Sequence, residues 1–220
     1  MQKLIKDNLV FLIPFTVILM VTIPVLFLNP KADIHLYMNQ LNTPFLDFLA
    51  KYITYFGDGT VITIIGFLVL LIHIRAGLFI FIGYYISGFI AQVFKRVFFS
   101  DYPRPSKFFE GIADLHLIDG VKLHSYHSFP SGHATTGFAV FFVLAMMSKN
   151  KYIKIGCLIM AVAVAYSRVY LSQHFLMDIV AGSLLGTIVS FFLYFWINPA
   201  IECKSWSEKS LIYFVNKGNK

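Results

Sequence analysis

Leu9 to Leu28 reads LVFLIPFTVILMVTIPVLFL, twenty residues without a charge. Wound as a helix, about 20 apolar residues match the hydrocarbon thickness of a bilayer, and lipid offers no partner to an unpaired backbone group. Five further apolar runs follow, near Val61 to Ile74, Leu78 to Phe94, Ala134 to Met147, Ile155 to Leu171 and Ile179 to Ile197. The composition agrees, since the 220 residues are 58% hydrophobic and 13% charged, against about 25% charged in a soluble domain. The runs predict an all-α integral membrane bundle of six transmembrane helices, one domain over residues 1–220. The first run follows Lys3 and Lys6 as a secretory signal would. It is long, contains Pro14 and Pro24 and has no small-residue cleavage site, so it reads as a retained span.

A net charge of +7 would direct a soluble chain toward nucleic acid. In a membrane chain it is a statement about sidedness, and no nucleic-acid partner is expected. With the N-terminus in the cytoplasm, six crossings leave Arg75, Lys149, Lys151, Lys154 and the tail lysines Lys204, Lys209, Lys217 and Lys220 inside. That layout predicts a multi-pass protein of the inner membrane with both termini cytoplasmic. The outer side then holds residues 29–60, the stretch Lys95 to His133 and the turn after Leu171. Lys95, Arg96, Arg104 and Arg168 fall there, at or next to span ends, where a cation is costly unless it has a task.

Within residues 29–60, Phe45, Phe48, Leu49, Tyr52 and Ile53 recur at helical spacing opposite Asp47 and Lys51. The pattern predicts a short interfacial amphipathic helix between the first two spans, either packed over the bundle or guiding a lipid inward. The tail from Glu202 to Lys220, with SLIYFV, suits the inner headgroups or a partner. Cys157 and Cys203 make neither a disulfide framework nor a metal spacing. Nothing in the sequence sets an oligomeric state.

Three polar stretches interrupt the apolar pattern. KRVFFSDYPRPSK, Lys95 to Lys107, carries four cations stiffened by Pro103 and Pro105, and by itself is equally a headgroup anchor. In HSFPSGHATTGF, Ser131 is a good N-cap and Gly132 lets a ligand approach the backbone, so the free amides at the start of the fourth span can face an anion. Taken alone, this is also an ordinary capped helix with a surface His133. In YSRVYLSQHFLMD, His174 lies six residues after Arg168, and Asp178 four after His174. On a helix that puts His174 and Asp178 on one face, where the carboxylate holds the imidazole tautomer. A satisfied buried pair has the same spacing. The alternating topology, however, sends all three stretches to one membrane face. Together they describe an anion site with a nucleophile and an acid, suited to phosphoryl transfer through a phosphohistidine.

These residues resemble the type 2 phosphatidic acid phosphatase superfamily, the lipid phosphate phosphatases that share a core with vanadium haloperoxidases. Pro130, Ser131, Gly132 and His133 match its second motif, and Ser167, Arg168, His174 and Asp178 its third. The first motif departs: Lys95 and Arg104 enclose eight residues where the family usually has six, which places an insertion around Ser100 to Tyr102, with Arg96 as an alternative to Lys95. The resemblance implies that His174 attacks phosphorus, Asp178 orients it and His133 protonates the departing alkoxide. Lys95, Arg104, Arg168 and the amides near Ser131 and Gly132 would cradle the phosphate. It implies no metal and no cofactor, and His116, His124 and His127 are left as loop residues or at most substrate contacts.

The expected activity is therefore hydrolysis of a phosphomonoester or pyrophosphate on an envelope lipid at the outer face of the inner membrane. Lipid A, undecaprenyl pyrophosphate, phosphatidylglycerol phosphate and phosphatidic acid are the substrates the family suggests, with selectivity in the loop Ser106 to Ser128. Two alternatives use the same cations. A non-enzymatic anion transporter would need polar residues deep within the spans, and apart from His73, Gln92 and scattered Ser and Thr these are clean. A vanadate-dependent oxidising enzyme would place vanadate in the same seat, but those relatives are typically soluble.

Overall fold

The computed structural model describes residues 1–212, and every regular element among them is helical. In chain order these are α1 (Gln2–Asp7), α2 (Leu9–Leu28), α3 (Lys31–Gln40), α4 (Pro44–Ile53), α5 (Gly59–Ile72), α6 (Ile74–Val93), α7 (Pro105–Phe108), α8 (Gly132–Met147), α9 (Lys151–Tyr170) and α10 (Leu176–Glu202). A 3-10 turn over Thr54–Gly57 follows α4, and a π turn over Phe94–Phe98 prolongs α6. By length and composition α2, α6 with its π turn, α9 and α10 are each able to cross a bilayer. Residues Pro44–Gly57 and Gly59–Ile72 meet the same criterion together, bent by 61°. The remaining apolar helix, α8, has 16 residues, short of the ~20 that hydrocarbon requires.

α8 sits at the centre, packed on α10, α9 and α6. All seven residues from Ala134 to Val140 are buried, so this helix shows apolar or small side chains all round. α10 comes against it backbone to backbone: a Cβ on Gly186 would lie 2.1 Å from the Thr135 carbonyl oxygen, and one on Gly182 2.6 Å from that of Ser131. α2 does the opposite. Its Ile13, Val17, Met20, Phe27 and Leu28 stay exposed, as a lipid-facing helix requires. Only Phe11 and Phe15 are buried, docking on Phe142 and Phe138 of α8 with ring centroids 4.7 and 4.9 Å apart.

Between the first two apolar helices there are two short helices where the periodicity shows one. α4 is the amphipathic helix expected from Phe45 to Ile53, and its polar side is the one turned to the protein: Lys51 Nζ donates to the Asp119 carbonyl at 2.7 Å and Asp47 accepts from the Tyr170 hydroxyl at 2.5 Å. Phe45, Phe48 and Tyr52 face outward. α3 has no amphipathic apolar stripe, because two of its buried positions are His35 and Asn39. The tail, as far as Lys209, folds back on the start of α6, with Ile74 N–H and Arg75 N–H donating to the carbonyls of Lys209 and Ser207 and Arg75 paired with Glu202 and Glu208. Residues 213–220, with Lys217, Lys220 and the second half of the SLIYFV segment, lie outside the described residues.

Candidate functional site

The turn between α9 and α10 presents His174. The amides of Gln173 and His174 both donate to the Arg168 carbonyl, at 2.9 and 3.1 Å, which folds the chain tightly after α9. α10 then opens with Asp178 in its first turn, where Oδ2 accepts from the Phe175 amide at 3.0 Å. The four-residue spacing brings that oxygen to 3.3 Å from His174 Nδ1. Ser128 completes the arrangement, donating to Asp178 Oδ2 at 2.5 Å with its hydroxyl 3.5 Å from Nδ1. Nδ1 is thus occupied and Nε2 is the nitrogen left to react. His174 is 1% exposed.

Ser131 caps α8, its hydroxyl accepting from Ala134 N–H at 3.4 Å, while its own amide donates to the Asp178 carbonyl at 2.9 Å. Through that bond the start of α8 and the start of α10 are registered against each other. The first-turn amides of Gly132 and His133 take no hydrogen bond within the described residues, as expected of a helix N-terminus open to an anion. Gly132 and His133 line a cleft of about 350 Å³ with Gly57, Gly88 and Gln92.

Lys95 leaves the π turn buried and donates to the His127 carbonyl at 3.2 Å, whereas Arg96 beside it is exposed. Lys95 and Arg96 both lie within the π turn, which holds one residue more than an α turn. Arg104 is fixed by the Tyr126 carbonyl at 3.0 Å and by both the carbonyl and the side-chain oxygen of Gln173 at 3.2 Å. Arg168 is buried, donates from Nη1 to Thr54 Oγ1 at 2.6 Å, and has its Nε buried without an acceptor among the described residues. A cavity of about 450 Å³ is lined by Gln92, Lys95, Arg96, Arg104, His124, Tyr126 and His127, adjoining the His133 cleft at Gln92.

Electrostatics tie these groups together. Burial first, then the charges of Lys95, Arg104, Arg168 and His133, hold the His174 ring well below its ordinary value of 6.5. It is therefore neutral, the form in which imidazole is a nucleophile. His124 is lowered as well, by burial and then by Arg104, Lys122, Arg168 and Lys95, which puts it in the same field. All the residues singled out from the three motifs thus share one end of the bundle, with Arg96 at its rim. Ser128, Thr54 and Gln173 carry no motif signal, and they support Asp178, Arg168 and Arg104 respectively. His116 is engaged elsewhere, 2.9 Å from Asp47. Among the described residues no three His, Cys, Asp or Glu side chains are grouped to hold a metal ion.

The sequence profile described as the PAP2 superfamily matches residues 76–202, from α6 to the end of α10, including all three motif stretches. The chain belongs to that superfamily. Proteins to which it is similar include the lipid A 4'-phosphatase of Bacteroides thetaiotaomicron, 32% identical over 92 residues, or 42% of this chain and 41% of that protein. Another is the undecaprenyl-diphosphatase of Sulfolobus acidocaldarius, 43% identical over 68 residues, 30% of this chain and 31% of that protein. The chain thus matches well under half the length of these curated relatives. The crystal structure of Aquifex aeolicus LpxE superposes with a TM-score of 0.66 at 22% identity, covering 74% of this chain and 94% of that one, a likeness of fold.

Proposed function

We propose that this chain is a membrane lipid phosphatase, built as one six-span domain, that works through a phosphohistidine. The observation that carries the reading is His174, neutral and held at Nδ1 by Asp178 and Ser128, within the field of Lys95, Arg104 and Arg168. In the first step Nε2 attacks phosphorus, the P–N bond forms and the P–O bond to the lipid breaks. His133 gives its proton to the departing oxygen. In the second step His133 takes a proton from water, the hydroxide attacks the phosphohistidine, and inorganic phosphate leaves with His174 restored. The developing oxyanion charge falls on Lys95, Arg104, Arg168 and the amides of Gly132 and His133. An anion there also gives Arg168 Nε an acceptor; an unpaired buried donor otherwise costs about 1–3 kcal/mol.

Because the site lies at helix ends, a lipid phosphate reaches it at headgroup depth while its chains stay in hydrocarbon. The envelope lipids, lipid A or the undecaprenyl carrier, are the substrates this reading favours, with the site on the outer face of the inner membrane. The names of the relatives support a lipid phosphate as substrate. Phosphate release from a panel of lipid A, undecaprenyl pyrophosphate, phosphatidylglycerol phosphate and phosphatidic acid in detergent tests it. His174→Ala is expected to abolish release while the protein remains folded; normal turnover by that variant would refute the mechanism, and preference for a short soluble phosphate ester would refute the lipid assignment.

A further inference from the structure

α3 belongs to none of the three motif stretches, yet two of its side chains are buried against the turn that carries His174. His35 and Asn39 are 1% and 6% exposed and lie four residues apart on one helix face. His35 Nε2 is 3.2 Å from Ser172 Oγ, and Asn39 Nδ2 donates to the same hydroxyl oxygen at 3.2 Å. Asn39 also pairs with the backbone of His116 in both directions, Nδ2 donating to its carbonyl at 3.0 Å and Oδ1 accepting from its amide at 2.8 Å. The His35 ring packs between Phe109 and Phe175, at 5.6 and 5.4 Å between centroids. Three segments distant in sequence are therefore joined here: α3, the loop after α7, and the turn from α9 to α10.

Ser172 is fully buried, two residues before His174, and stands at φ +51°. A side-chain-bearing residue in that left-handed region is strained and persists where its surroundings over-determine it. The over-determination is visible: two side chains grip the Ser172 hydroxyl on one side, and the Gln173 and His174 amides are anchored on Arg168 on the other. His35 Nδ1 is buried without a partner among the described residues. If this position served packing alone, an apolar side chain of similar size would fill the space without the cost of that orphaned nitrogen.

We infer that His35, Asn39 and Ser172 are positioning residues that clamp the turn presenting His174, and that Asn39 couples this turn to the loop over the substrate side. The inference rests on His174 being the nucleophile. None of the three touches the reacting atoms. Their effect is to keep Nε2 within the roughly 0.5 Å and 10–20° that a productive attack geometry tolerates.

Ser172→Gly is the sharpest test, because glycine accepts φ +51° without strain, so the hydroxyl is removed while the turn remains allowed. In the full-length chain in detergent, on a lipid phosphate that the parent hydrolyses, kcat is expected to fall about 10- to 100-fold with KM within about twofold. The melting temperature should stay close to the parent's. The acid limb of the pH–rate profile should also move up. His174 is held below 6.5 by burial, with Lys95 from the end of α6, Arg104, Arg168 from α9 and His133 from α8 facing it and Asp178 from α10 opposing them. A looser, wetter turn returns it toward 6.5.

Asn39→Asp, which keeps the acceptor for His116 N–H but loses both donors, should give the same signature in kcat and pH profile. A folded Ser172→Gly protein with the parent's kcat and profile would overturn the clamp. So would a variant whose losses track its melting temperature with an unshifted profile, since that is packing alone. A parallel His174→Ala control separates the two claims: turnover by His174→Ala removes the nucleophile, whereas an inactive His174→Ala beside an unaltered Ser172→Gly removes only the clamp.

Discussion

At the scale of the residue, Lys95 and Arg96 are adjacent and carry the same charge, and the π turn gives them different surroundings. Lys95 is buried with its ammonium on the His127 carbonyl; Arg96 is exposed at the rim of the cavity. A buried charge on a phosphate oxygen contributes about 1.5–3 kcal/mol, so Lys95→Ala should lower kcat/KM roughly 10- to 150-fold. Arg96→Ala should change it by less than about fivefold, as for an exposed ion contact. Steady-state kinetics of both on one lipid substrate decide it, and the reverse ranking would transfer the role to Arg96. The motif residues themselves, His133, Arg168, His174 and Asp178, are readable as spacing along the chain. Their supports are not. Ser128, Gln173 and Thr54 reach partners 50, 69 and 114 residues away, and a serine, glutamine or threonine has no local pattern that announces such a bond.

At the scale of the element, the bond from Ser131 N–H to the Asp178 carbonyl holds only if α8 and α10 stay as close as Gly182 and Gly186 allow. A methyl on Gly186 meets a backbone oxygen at 2.1 Å, and backbone cannot rotate away as a flexible side chain can. Gly186→Ala is therefore expected to destabilise by roughly 1–3 kcal/mol through forced separation of the helices and to lower kcat more than KM, because the two halves of the site move apart. Thermal unfolding in detergent and kinetics on the same preparation check this; an unchanged melting temperature would mean that α8 and α10 can separate to admit a methyl group without cost to the fold. The long helices follow from their apolar runs, and α2 runs over the same residues as the first run, Leu9 to Leu28. α3 and the π turn do not follow from periodicity. α3 buries polar side chains whose partners lie elsewhere, and a π turn differs from an α turn by one residue of register, which no composition marks.

At the scale of the whole molecule, the proposed orientation makes a prediction about access. Glu110 lies in the exposed loop at the end of the bundle that holds the site, and Lys149 in the exposed connection between α8 and α9 at the other end. In a Cys203→Ser background, a membrane-impermeant maleimide should label Glu110→Cys in intact cells and Lys149→Cys only after permeabilisation; Cys157 is buried in α9 and contributes little. The opposite pattern would turn the site to the cytoplasm and move its substrate to the inner leaflet.

What the sequence determined by itself is the all-helical membrane architecture and the chemistry-bearing residue types, because bilayer thickness dictates the length of apolar runs and the motif spacing marks His174 and Asp178; His174 itself stands in the turn before α10, so its contact with Asp178 is set by how that turn folds onto the start of the helix. Tertiary structure alone decided which cation is buried, which hydroxyl braces the carboxylate and how α3 meets the turn that carries His174. Those depend on contacts between segments tens of residues apart, which arise only when glycine-lined helices close to backbone distance and bring their loops to one end of the bundle.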